Sequence, residues 1–447
     1  MKRKSPPSVS LNQADFLNVV MNRVFPSLGQ MITIRFKTKH SPDEIRHAMR
    51  RILSLYDRLR LYVRPALFSH RIFIYDDGDS ITEKYFNGSF RVIPGVTYDS
   101  PGYREYRRKL LNEPFSLKSG LPLTVSYFPD DPEPVLLLSV HHLVCDGMGW
   151  IHMVDALMAI LNGKNPPLVP LEDPSHTAAI LEKPYYRFPL QLVRSYRKYK
   201  ETVRERKNDR VFLLSHRHSD TFGPCDMHQQ YLAIDLAALK EKANEMGCTI
   251  NVLIFAALAI ALRNRAAQNS GNAVHIIFYI DLRPFFDGRR PIYGNFVSSA
   301  IIRVEEKLFS DYMGMIRKIN AQLNRNLEIV SSRDLLYPFL LNKLSTFLGI
   351  RIYTWLALYF LKKRDALLPS CLYSNLGNLD RLNSHGTHAR LTEALATVGQ
   401  MGIFFTASTI DGRISTNVSY PSDEYSDNEI REFLRTVEVS LGEILKG

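Results

Sequence analysis

Val135-Leu-Leu-Leu-Ser-Val140 is apolar at nearly every position, with no alternation of apolar and polar residues. Successive side chains of a strand point to opposite faces, so a strand made of this run has no face to turn to water. It predicts a central strand, covered on both sides, and therefore a layered α/β domain rather than a single exposed sheet. The 447 residues suffice for two domains of about 200 residues each. With 45% hydrophobic and 23% charged residues, the composition is that of a globular chain and excludes disorder as a default.

Around this strand the periodicity predicts alternating helices and strands. Asn12 to Phe25 is helical in pattern and stops at Pro26, and residues 31–37 alternate as a strand. Ser41-Pro42-Asp43-Glu44 is a helix start, with Ser at the cap, Pro in the first turn and Glu44 placed to close a capping box. That helix carries Ile45, Met49, Ile52 and Leu53 on one face. Further strands are expected at 71–75, 121–128, 274–280, 403–408 and 413–418, and helices at 251–263 and 427–445. A Pro-rich stretch from Gly163 to Thr177 reads as a linker. The division expected is 1–180, a basic connector helix over 181–215, and 216–447.

The buried strand ends in His141-His142-Leu-Val-Cys145-Asp146-Gly147, and Gly147-Met-Gly149 opens a helix to about Leu161. Only one of two adjacent strand residues faces a given cavity, so one histidine is a candidate base and the other is a buried spacer. An unperturbed imidazole titrates near neutrality and can take a proton from a nucleophile and return it. Asp146 is placed to pair with a cation, and Gly147 to leave room for a ligand or a close backbone.

The formal net charge is +12, which suits an anionic surface or a phosphate-bearing molecule. From Arg187 to Arg210 there are nine Lys or Arg against three acids. Cys145, Cys225, Cys248 and Cys371 lie far apart, with no spacing for a zinc site or a disulfide framework. His216-Arg-His218 has the spacing of two strand ligands but no acidic or Cys partner nearby, so no metal is expected. No Gly-x-Ser-x-Gly elbow and no phosphate-cradling Gly-Lys loop occur, which counts against a serine hydrolase or an NTPase. No nucleic-acid recognition motif accompanies the basic helix. The start lacks an apolar leader, and the expectation is a cytoplasmic protein. Residues 335–361, rich in Leu, Phe and Tyr, read either as core helices or as an amphipathic surface for a membrane or a lipid-like substrate.

The histidine motif resembles that of the acyltransferases built like chloramphenicol acetyltransferase, a group that includes peptide-synthetase condensation domains and alcohol acetyltransferases. Four other blocks follow the family's order: Asn112-Glu-Pro-Phe-Ser-Leu-Lys-Ser-Gly-Leu-Pro-Leu, Gly247-Cys-Thr-Ile-Asn251-Val-Leu, Asp281-Leu-Arg283-Pro284 with Gly294-Asn295-Phe296, and Ser374-Asn375-Leu376-Gly377. The plant branch carries Asp-Phe-Gly-Trp-Gly where this chain has Tyr293-Gly-Asn-Phe-Val-Ser-Ser, so the resemblance is to the condensation and alcohol-acetyltransferase side.

The resemblance implies two α/β (α+β) domains of similar fold, each a mixed sheet with helices, facing across a central tunnel. It implies His142 as general base, with Asp146 and Arg283 as a structural ion pair and His141, Gly147 and Asn295 as supporting residues. Asn375 and the Ser298-Ser299 pair are candidate oxyanion donors. The reaction implied is direct attack of a hydroxyl or amine on an acyl thioester, without an acyl-enzyme and without a bound cofactor. Acyl-coenzyme A is the expected co-substrate of a freestanding enzyme. The alternatives are a carrier-protein-bound donor, or an inactive binding or epimerising relative.

Overall fold

A computed structural model describes residues 8–24, 29–65, 70–171, 188–215, 223–266, 271–285, 293–332, 334–362, 369–399 and 402–446. Residues 172–177 of the expected linker, the division at residue 180, Arg187, His216 and His218 lie outside them. In chain order the strands are β1 (Ser8–Ser10), β2 (Gly29–Phe36), β3 (Leu61–Pro65), β4 (His70–Ile74), β5 (Phe90–Val92), β6 (Leu123–Phe128), β7 (Val135–His141), β8 (Cys225–Tyr231), β9 (Ala273–Asp281), β10 (Val297–Glu305), β11 (Cys371–Asn378), β12 (Leu391–Val398), β13 (Phe404–Ile410) and β14 (Arg413–Pro421).

They form two large mixed sheets, ordered β12-β2-β7-β6-β5 and β10-β9-β11-β13-β14-β8, and a small sheet β1-β4-β3. As its composition requires, β7 lies inside its sheet between β2 and β6, and all of its residues are buried. The helices Pro42–Leu55 and Gly147–Leu161 pack together in the core of this first lobe, where Ile45, Met49, Ile52 and Leu53 are buried. In the second lobe the helices Ile250–Asn264, Tyr312–Ser331 and Asp427–Lys446 share a separate core with the β9–β14 sheet.

The two halves of the sequence do not map onto the two sheets. Strand β12 comes from the second half yet completes the first lobe's sheet, pairing antiparallel with β2 from Leu391↔Phe36 to Val398↔Gln30. It also touches the second sheet, where the Ser408 hydroxyl donates to the Ala394 carbonyl and the Ser419 hydroxyl to that of Val398. The block 216–447 expected from the sequence therefore lends a strand to the first lobe. The basic connector is a helix over Phe188–Arg206, and Leu336–Thr346 and Gly349–Lys362 are two further helices.

Candidate active site

β7 delivers both histidines, and the strand's end separates them. His141 is fully buried: its Nδ1 accepts from the Leu143 N–H at 2.9 Å, which leaves Nε2–H to donate to Asn22 Oδ1 at 3.0 Å. Burial pushes its imidazole down to about 3, helped by the neighbouring His142. A ring so held is neutral at working pH and ties β7 to the helix Gln13–Val24.

His142 is partly buried and opposite in character. Its Nδ1 lies 3.2 Å from Asn295 Oδ1. The Asn295 amide is oriented by its own donors: Nδ2 reaches the His142 carbonyl at 2.9 Å, the Leu143 carbonyl at 3.3 Å and Asp15 Oδ1 at 3.3 Å. With its NH₂ facing acceptors, Asn295 presents its oxygen to the ring, so His142 carries its proton on Nδ1 and keeps a lone pair on Nε2. Burial lowers the imidazole pKa, opposed by hydrogen bonds to the residue's own carbonyl and to Asn295 and by the charge of Asp146.

Asp146 is 1% exposed, and its carboxylate is turned to Arg283. The guanidinium grips it with two bonds of 3.0 Å, and the Phe296 N–H (2.7 Å) and Gly149 N–H (2.9 Å) supply the rest. The last of these makes Asp146 the N-cap of the helix Gly147–Leu161. Arg283 also binds Asp281 and the Gly294 carbonyl, each at 2.9 Å. The glycines answer to space. A Cβ on Gly149 would stand 2.5 Å from that of Cys145, and one on Gly147 would be 3.3 Å from Leu376 Cδ2. Gly147 is thus where the first lobe's motif meets β11 of the second.

Behind this lies a buried ion pair that the sequence reading missed. Arg58 grips Asp15 through two bonds of 3.0 and 3.1 Å and donates to the Leu143 carbonyl at 2.9 Å. A Cβ on the neighbouring Gly294, at φ +146°, would sit 3.0 Å from Arg58 Cζ, so the guanidinium would have to shift. Asn18 donates to the His142 carbonyl at 3.2 Å and Gln30 to that of Cys145 at 2.6 Å. Asp15, Asn18 and Asn22 reach the loop from the helix Gln13–Val24, Arg58 from the 3-10 turn Asp57–Arg60 and Gln30 from β2, all more than 80 residues before it, so no local spacing ties them to it.

The remaining candidates divide. Asn375 spends its amide on structure, donating to Asn251 Oδ1 at 2.7 Å and accepting from the Gly377 N–H at 2.9 Å. Both residues line a cleft of about 240 Å³ with Thr249, Thr409 and, at the surface, Lys240. Ser298 is partly buried at the start of β10, and Ser299 is exposed. The Cys145 thiol is buried, which pushes it up to about 12 and suits a packing role rather than a nucleophile. One group of metal-ligand type gathers among the described residues, at His40, Glu44 and His388. There both imidazoles bind one Glu44 oxygen, at 2.9 and 2.7 Å.

The sequence matches the condensation-domain family model over residues 29–331, about two thirds of the chain. The chain belongs to the condensation-domain family. No curated protein sequence matches it. Among solved structures, trichothecene 15-O-acetyltransferase from Fusarium sporotrichioides superposes with a TM-score of 0.71 at 13% identity, covering 98% of this chain and 95% of the other. The first condensation domain of the calcium-dependent antibiotic synthetase gives 0.71 at 11% identity, with 99% and 97% covered. The epimerization domain from the third module of tyrocidine synthetase B gives 0.66 at 15%, with 99% and 98% covered. The two-lobed fold implied by the motifs is the fold found.

Proposed function

We propose that the protein is an acyltransferase that moves an acyl group from a thioester to a hydroxyl or amine, with His142 Nε2 as general base. The observation that carries this is the Asn295 amide on His142 Nδ1, with Asp146 committed to Arg283. One ring nitrogen is protonated and anchored, the other is a free base, and among the described residues the nearest carboxylate of the motif, Asp146, is held by Arg283.

The acceptor gives its proton to Nε2 as its oxygen or nitrogen bonds to the thioester carbonyl carbon. The tetrahedral intermediate then expels the thiolate, which takes the proton back and leaves as free thiol. Ser298, three residues beyond Asn295, is the hydroxyl assigned to the oxyanion. We assign acyl-coenzyme A as donor. Lys240 at the cleft supplies a cation for its phosphates. The broad basic patch that a carrier protein would need is partly consumed: Arg194 and Lys198 of the helix Phe188–Arg206 are tied to the buried Asp334.

The test is thiol release from a panel of acyl-coenzyme A thioesters and a loaded carrier, with pooled alcohols and amines. His142→Ala should lower turnover by about two to four orders of magnitude at unchanged melting temperature. The wild-type rate should persist below the usual imidazole range before it falls. Near-normal turnover by His142→Ala sinks the mechanism, and turnover with a loaded carrier alone replaces coenzyme A as donor.

A further inference from the structure

The helices Leu336–Thr346 and Gly349–Lys362 form a hairpin that is apolar on both sides. Its inner side is anchored. Tyr353 packs edge-on against Phe16 at 5.4 Å, Ile350 is buried in the first lobe's core, and Leu336 packs with Phe296, whose N–H binds Asp146. Its outer side is equally apolar and faces solvent. Phe347 is 76% exposed, Leu344 and Trp355 are each 64% exposed, and Leu348, Ile352 and Tyr359 join them. Ile352, Trp355 and Tyr359 recur at three and four residues along one helix face, and Trp355 and Tyr359 stack at 6.0 Å. Gly349, at φ +75°, makes the turn beside the most exposed residues. A helix apolar all round belongs in a core or against lipid, and this one has a core on one side only.

We infer that the outer face of this hairpin lies on the surface of a lipid bilayer with anionic headgroups. Charge selects that occupant. From Leu335 to Lys362 the sequence has Lys343, Arg351 and Lys362 and no acid, in a chain of net charge +12. A second copy docking by two-fold symmetry would bring the same cationic patch against itself, whereas anionic headgroups complement it. Tryptophan and tyrosine beside Arg351 are the residues that settle at a headgroup boundary. Neither helix is long and apolar enough to cross a membrane, so the hairpin lies on the bilayer rather than through it.

The chain carries its own reporter, because of its two tryptophans Trp150 is buried and Trp355 is exposed. The purified protein is mixed with vesicles of phosphatidylcholine alone, or of phosphatidylcholine and phosphatidylserine, and sedimented. It should bind the mixed vesicles, more weakly as salt rises, with Trp355 emission shifted to the blue and quenched by brominated acyl chains. L344E/F347E should weaken binding by about tenfold or more, since two acidic groups would have to enter the interface. Arg351→Gln should weaken it about fivefold on anionic vesicles alone. Both variants should melt like the wild type, because the altered side chains are exposed. The inference is overturned if the wild type stays in solution with both vesicles, or if L344E/F347E binds like the wild type. A dimer that L344E/F347E splits, with no vesicle binding, gives the face to a second copy and likewise overturns it.

Discussion

His141 and His142 are chemically identical neighbours, and the network around them makes one a structural peg and holds the other, the base we propose, by its Nδ1. His141 binds a proton in the unfolded chain at about pH 6.5, but in the folded protein only near pH 3. Between those values the unfolded state holds the extra proton, so stability rises with pH through this window and is lost as pH falls. The slope from this one site is roughly 1.4 kcal/mol per pH unit. His141→Asn, whose amide oxygen can still accept from the Leu143 N–H, should be less stable at pH 7 but should flatten this part of the profile. Urea unfolding from pH 7 to pH 4 measures the difference, and parallel profiles for the two proteins would remove His141 as its source. At this scale the histidine, Asp146, Arg283 and Asn295 were legible from motif order. The reason for Asn295 was not, because it depends on an amide orientation set by carbonyls that only the folded loop brings together. Arg58 and Asp15 were invisible for the same cause, lying 43 residues apart.

Asp146 belongs to the helix it starts as much as to the ion pair. Removing Arg283 leaves its carboxylate with two backbone donors, the Gly149 and Phe296 N–H groups. Removing Asp146 takes from Arg283 its bidentate partner, leaving it Asp281 and the Gly294 carbonyl, and also uncaps the helix Gly147–Leu161. Arg283→Ala, which leaves the buried carboxylate without a counter-charge, should cost about 3–5 kcal/mol, whereas Asp146→Ala leaves Arg283 paired with Asp281 but adds about 1 kcal/mol for the lost cap. The double variant should fall short of the sum of the two by roughly 0.5–3 kcal/mol. Denaturant melts of the four proteins test this; strict additivity would separate the two residues. The start of this helix was readable, as was that at Ser41, whose hydroxyl accepts from the Glu44 N–H at 3.1 Å. The capping box there is only half made, because the Glu44 carboxylate is drawn to His40 and His388. His388 comes from 344 residues away, where no local rule can reach.

On the scale of the whole molecule the decisive strand is the least strand-like. Leu391-Thr-Glu-Ala-Leu-Ala-Thr-Val398 is rich in helix-favouring residues, and tertiary pairing overrides that preference. Its Glu393 is 1% exposed and is held from both lobes: Gln229 of β8 donates to it at 2.8 Å, and Arg35 of β2 lies 3.7 Å away. A charged residue in such a segment reads as a solvated face until those partners are known. The consequence concerns folding of the parts. A fragment of residues 1–180 keeps the histidine motif and its central strand, but it loses β12, and β2 becomes an unprotected edge along Gln30–Phe36. Such an edge, buried and apolar in the intact protein, is a template for intermolecular pairing. The fragment also loses Arg283 and Asn295, leaving Asp146 and the His142 loop without their supports. It should therefore be aggregated, or compact without cooperative melting, although it holds an entire stretch of family motif. Far-UV circular dichroism on heating, with sedimentation to report association, decides the matter. A soluble monomeric fragment with one sharp transition would show that the first lobe stands without its borrowed strand.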